Sequence, residues 1–205
     1  VTFTEHGHRR VDEYHWLNRR DDPEVLAFLE ANNAHAEAVL QRTGTLRERL
    51  LAELAALMPP DEGPAAQRID DYWYRTVFGH GSDYPLFVRS RGSASAPPEI
   101  LLDANALAGG QAFFGLEGLR PSPDHKLLAF AVDTVGRRLF TLRVKNLASG
   151  ALLPDELPGV DSHFAWAADS RAVYYAMIDP ESLRPFEVRR HVLGDHVRGT
   201  RLCVA

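Results

Sequence analysis

The feature that most constrains this chain is a phrase it states twice. "SPDHKLLAFAVDTVG" (residues 122–136) and "AADSRAVYYAMIDPE" (residues 167–181) share one pattern, an Asp-containing turn followed by a short apolar run. Asp124 and Asp169 end the matching turns 45 residues apart, and Phe140 and Phe186, in the strands that follow, are 46 apart. A third, more loosely spaced copy begins at Asp70-Asp71 and runs through "YWYRTVF" and "YPLFVRSRG". A period in the forties that carries about four strands is the mark of propeller blades. One four-stranded blade is twisted and cannot bury both faces alone, so its neighbours must cover it. About three copies fit between residues 67 and 205, whereas closed propellers usually hold four to eight.

The residues before this repeat follow a different period. Asp21-Asp22-Pro23-Glu24 supplies a capping acid, a proline at the first helical position and an acid in the first turn. Val25, Leu29, Asn32, Ala36 and Val39 then recur at helical spacing, with Leu26, Phe28 and Leu40 widening the stripe. Thr43-Gly44 predicts a break, and Thr45 a cap for a second helix built on Leu46, Leu50, Leu54 and Leu57. "MPPDEGP" (58–64) reads as a linker. The expected organisation is a helical arm over 1–64 and propeller blades over 65–205.

Bulk properties narrow the function classes. A net charge of −5 argues against nucleic-acid or anionic-membrane binding, and no apolar stretch approaches membrane-spanning length. Cys203 is the only cysteine, which rules out an internal disulfide framework. The polar start "VTFTEHGHRRVDEYHW" has no signal-peptide character, and a cytoplasmic location is the simplest expectation.

The chemistry-bearing residues do not assemble into a motif. No Gly-x-Ser-x-Gly elbow occurs, and Ser82, Ser90, Ser93, Ser95, Ser122, Ser149, Ser162, Ser170 and Ser182 sit in turn or loop contexts. His6, His8 and His15, with Glu5, Asp12 and Glu13 nearby, lie in what reads as an irregular segment and lack a metal-ligand spacing. His80, His125, His163, His191 and His196 are scattered and receive no role. Gly109-Gly110, Gly115 and Gly118 match no phosphate-binding fingerprint. Arg137-Arg138 and Arg189-Arg190 read as solvated charges on strand edges. The residues therefore predict no catalytic, cofactor-binding or metal site, and no cofactor.

A resemblance adds what the residues alone do not give. "RVDEYHWLNRRDDPEVLAFLEANNAHAEAVL" resembles the N-terminal segment of the prolyl oligopeptidase family through Asp12, Tyr14, Trp16, Leu17, Pro23, Glu24, Val25, Leu26, Leu29 and Asn33. "EILLDANALAGG", "SPDHKLLAFAVDTVGRRLFTLRVKNLASGALLP" and "RPFEVRRHVLG" are similar to the early blades of its oligopeptidase B members. The resemblance implies a mainly β fold with an N-terminal α-helical segment, a partial β-propeller of about three blades out of seven. It also implies a C-terminal α/β-hydrolase domain with a Ser-Asp-His triad, outside these residues, that cleaves short basic peptides after Arg or Lys while the propeller excludes folded proteins. A competing expectation is a non-catalytic interaction module that recruits partners at open strand edges. Either way Val25, Phe28, Leu29, Leu50 and Leu54 are expected to be partly exposed, which favours self-association through the arm.

Overall fold

The computed structural model describes residues 1–57, 63–79, 81–195 and 201–204, the last four as backbone. The chain divides into two compact units, Val1–Pro59 and Pro60–Ala205. Among the described residues no helix is long and apolar enough to cross a membrane. The anticipated linker residues 58–62, and likewise His80 and His196, lie outside the described residues.

The first unit opens with a hairpin where an irregular segment was expected. Strands β1 (Thr2–Glu5) and β2 (His8–Val11) pair antiparallel. His6 and Gly7 between them both have positive φ, 52° and 79°. Two such residues make the two-residue turn whose twist suits a hairpin. Helix α1 (Pro23–Leu40) starts as its sequence dictates, with the Asp22 carboxylate accepting the Glu24 N–H at 3.0 Å and Pro23 leading. The break at Thr43-Gly44 is slighter than expected. A 3-10 turn (Gln41–Thr43) leads directly into α2 (Gly44–Leu57), and Gly44 has helical backbone angles. Thr45 therefore lies inside α2 and caps nothing. Phe28, Leu29, Leu50 and Leu54 are exposed as anticipated, but Val25 is buried to 2%. Val25 sits one turn before Phe28, whose ring meets Trp16 edge-on at 5.3 Å.

The second unit consists of three four-stranded antiparallel blades. The first is β3 (Gln67–Ile69), β4 (Tyr72–Phe78), β5 (Pro85–Arg91) and β6 (Glu99–Asp103), in that order. A short helix, α3 (Ala104–Ala108), follows, capped by Asp103, which accepts the N–H groups of Asn105 and Ala106. The second blade is β7 (Gly115–Pro121), β8 (Leu127–Asp133), β9 (Phe140–Asn146) and the first part of β10 (Leu152–Trp166). The third takes the rest of β10, then β11 (Ala172–Ile178), β12 (Pro185–Val192) and β13 (Arg201–Val204). Val160 is the pivot, pairing with Phe140 on one side and Met177 on the other. Pro158-Gly159 just before it, with Gly159 at φ 72°, turns the strand from one blade into the next.

The unbroken apolar run Leu127–Val132 follows from this stacking, because a strand between two neighbours is buried on both faces. Leu128, Phe130 and Val132 pack with Leu101, Leu102 and Phe114 toward the first blade. Ala129 and Ala131 join Leu142, Val144, Val160 and Val173 toward the third. The repeat is real in register. Leu127 faces Asn146 in the second blade as Ala172 faces Val192 in the third, offsets of 45 and 46 residues. Burial breaks the symmetry. Phe140 is 5% exposed because the third blade stacks on its face of the sheet, where it joins Leu142, Val160, Val173 and Tyr175, whereas among the described residues none covers the corresponding face of the third blade, and Phe186 there is 51% exposed.

The loop after β8 is organised by Asp133, a buried carboxylate that accepts the N–H groups of Val135, Gly136 and Arg138 at 2.8–2.9 Å. Burial alone would raise its pKa, but these backbone donors prevail and hold it below the ordinary carboxylate range. A depressed folded-state pKa stabilises the fold above the unfolded value, and that stability is lost as pH falls through the folded one. Asp133→Asn should therefore lower stability at neutral pH by about 1–3 kcal/mol and flatten the acid limb of a pH–stability curve measured by urea unfolding. In the same assay Phe140→Ala should cost about 3–5 kcal/mol, against about 1 kcal/mol or less for its repeat equivalent Phe186→Ala.

Candidate functional site along the inner strands and the first blade junction

Each blade begins with an inner strand, and two of these lie side by side. The Cβ of an alanine at Gly118 on β7 would fall 2.1 Å from the carbonyl oxygen of Ser162 on β10 and 2.7 Å from the Phe164 ring. Gly118 also has φ 65°, so glycine is required there twice over, by space and by backbone angle. Two residues further along β7, the Arg120 carbonyl accepts the Trp166 indole N–H at 3.0 Å. Both contacts step forward along both strands, so β7 and this part of β10 run in the same direction. Glu117, Arg120, His163 and Ala165 are exposed on this pair of strands, and Gln67 and Arg68 on β3. His163 Nδ1 lies 2.6 Å from Asp161 Oδ1. Burial works to raise the Asp161 pKa, but the hydrogen bonds from the His163 ring and backbone N–H outweigh it and hold the carboxyl below its usual range. The inner strands thus carry exposed charges of both signs.

A second cluster joins the turns at one end of the blades. Asp70, His125 and Ser170 occupy equivalent positions between the first two strands of each blade, all with left-handed backbone (φ 52°, 58° and 60°). Asp70 Oδ2 lies 3.0 Å from His125 Nε2, and the Asp124 N–H donates to Ser170 Oγ at 3.1 Å. A chain of turn-to-turn bonds therefore links all three blades. Four groups of the first blade converge on His125. Tyr74 Oη is 2.8 Å from its Nδ1, Arg89 Nη1 donates to its carbonyl at 2.6 Å, and the Tyr72 ring lies tilted against it at 4.9 Å; Asp70 is the fourth. Arg89 lies over Tyr72 at 4.5 Å and pairs with Glu99 at 2.7 Å. Burial pushes the Tyr74 hydroxyl up, partly offset by the Arg89 hydrogen bond it accepts.

His125 is thus held by the first blade, and His191 is tied into the sheet as well. His191 is fully buried on β12, its Nε2 2.7 Å from Asp155 Oδ1 on β10, which also accepts the Gly194 N–H. A three-residue turn motif ending in a residue able to adopt positive φ was the available signal for His125. For His191 the sequence carries none, since Asp155 lies 36 residues away.

The remaining sequence candidates are placed as follows. Ser122 Oγ donates to Asp124 and accepts from Leu127, Ser182 Oγ donates to Asp179, and Ser90 Oγ donates to the Ala96 carbonyl. Ser122 and Ser182 are turn hardware, whereas Ser90 on β5 and Ser162 on β10 stand in strands and not in the turn or loop contexts expected, because strand pairing is non-local. His15 packs on Phe3 at 5.2 Å and lies 3.8 Å from Asp12, and among the described residues no three metal-ligating side chains converge. The arginine pairs do not stand on strand edges as expected. Arg189 and Arg190 are on β12, which is flanked by β11 and β13, and Arg189 pairs with Glu187. Arg137 and Arg138 lie in the loop after β8, where Arg137 Nη2 reaches the Pro180 carbonyl of the third blade at 3.0 Å.

Blades of this register define part of a β-propeller. All 205 residues match the family described as prolyl oligopeptidase, N-terminal beta-propeller domain, and the chain belongs to the prolyl oligopeptidase family. It is 36% identical over 211 residues to dipeptidyl aminopeptidase BI of Pseudoxanthomonas mexicana, covering 95% of this chain and 29% of that protein. It is 27% identical to protease 2 of Moraxella lacunata, covering 96% and 29%. Oligopeptidase B from Leishmania major superimposes with a TM-score of 0.87 at 27% identity, over 95% of this chain and 28% of that one. The chain thus spans less than a third of the length of these relatives.

Gly118→Ala should lower stability by about 2 kcal/mol or more, with loss of the Trp166–Arg120 contact seen as a red shift of tryptophan fluorescence. A variant with unchanged stability and emission would show that the inner strands do not approach as closely as described.

Proposed function

We propose that this chain is the propeller part of a serine peptidase that acts on short peptides, with the blades limiting access by size. The observation that carries this reading is the match to the family's propeller over all 205 residues, together with a peptidase name on its relatives. In this reading the nucleophile, base and acid belong to residues outside these 205. Hydrolysis after Arg or Lys is the specificity this reading favours for the longer protein, supported by the likeness to oligopeptidase B structures, one of them from Trypanosoma brucei with covalently bound antipain. A second reading, removal of dipeptides from a free N-terminus, is supported by the relative named dipeptidyl aminopeptidase. The exposed arm leucines (Leu46, Leu50, Leu51 and Leu54) take part in covering another surface of the longer protein.

The full-length protein should hydrolyse an N-terminally blocked Arg–Arg reporter peptide and lose activity to a serine-directed phosphonate. It should leave a folded basic protein intact. Cleavage only of unblocked dipeptide reporters would replace the first specificity with the second. Activity on folded protein equal to that on peptides would remove the filter role.

A further inference from the structure

The two blade junctions are built differently. The second and third blades share β10, so backbone hydrogen bonds run without interruption across their boundary. The first and second share no strand. The chain passes between them through α3 and residues 109–114, and α3 is anchored to the first blade, where the Asn105 side chain bonds the Tyr84 N–H and carbonyl. Across this junction the polar contacts are few, and most converge on one residue, His125. Lys145 Nζ, donating to the Leu101 carbonyl at 2.8 Å, is the other tie.

The same junction is incompletely packed. A cleft of about 530 Å³ lies between the first and second blades. Strand register decides which side chains face it. Tyr74 reaches His125 of the second blade, so its alternate neighbour Thr76, and Phe87 opposite Thr76, share that face. Leu128 packs toward the first blade, and Pro121 is its cross-strand partner. The cleft leaves one part of the junction open, while Leu101, Leu102 and Phe114 close the rest of it against Leu128, Phe130 and Val132. Tyr74 belongs both to the cleft wall and to the His125 cluster, which couples the two.

We propose that the junction between the first two blades is a hinge, that His125 is its clasp, and that release of the clasp swings the first blade away and opens the cleft. The backbone at His125 specifies the test. Its φ of 58° is tolerated by asparagine far better than by alanine. His125→Asn therefore keeps the turn while its shorter side chain cannot span Tyr74 and Asp70 together. Tyr74→Phe removes one clasp bond and leaves the ring in the cleft wall.

The readout is thiol labelling under native conditions in a Cys203→Ser background. Leu128→Cys reports the first junction and Val173→Cys, equally buried, the second. The Leu128→Cys thiol should react faster than the Val173→Cys thiol, and His125→Asn should accelerate it at least tenfold with Val173→Cys unchanged. Equal acceleration at both sites would mean global loosening and would overturn the hinge, as would no acceleration at Leu128→Cys. Hydrogen exchange on the cysteine-free chain gives the same decision if a cysteine variant does not fold. His125→Asn or Tyr74→Phe should speed exchange in β4 and β5 at least tenfold and leave β9–β11 as they were. A uniform or absent change would refute the hinge.

Discussion

Everything in the second unit depends on one constraint, that a twisted four-stranded sheet has two apolar faces and can cover neither by itself. Residue 160 is where the chain meets it most economically. By pairing with Phe140 and Met177 at once, Val160 makes one strand serve as the last of one blade and the first of the next. The Pro158-Gly159 step before it supplies the bend. From this shared strand follow the seven-stranded continuous sheet, the parallel approach of β7 and β10, and the demand for glycine at 118.

The same constraint explains the polar architecture. Turns at one end of the blades lie close together because the sheets behind them are stacked, and each carries a non-glycine residue in left-handed conformation. Asp, His and Ser tolerate that backbone and also offer a polar atom to a neighbour. Asp70, His125 and Ser170 do both, so positions that look like spare turn chemistry become ties between blades. His125 and Ser170, which a search for catalysis would single out, are occupied in this way.

How much of this was legible in the sequence differs by element. The helix start at Asp22-Pro23 was plain, because capping and proline placement are local effects. The second and third blades were visible as a period of about 45 and the first as a looser copy, because each repeats a similar turn and strand. The first hairpin was missed, since its signal is a single glycine after His6 and its strands are almost wholly exposed. Thr45 was misread as a cap because Gly44, free to adopt any backbone angle, took helical ones and let the helix begin earlier. The arginine pairs were misassigned because strand position in a sheet is set by non-local pairing.

The sequence by itself determined periodicity, the arm, the blade turns and the family, all of which rest on residues close together in the chain. Only the tertiary structure decided which copies of a repeated residue are buried. Phe140 and Phe186 are equivalent in sequence and opposite in burial, because the third blade stacks on the face of one and, among the described residues, none stacks on that of the other. It also decided that His191 meets Asp155 and that His125 meets Asp70, Tyr74 and Arg89. Those partners lie between 36 and 55 residues apart, and stacking of the blades, which no local pattern encodes, is what brings them together.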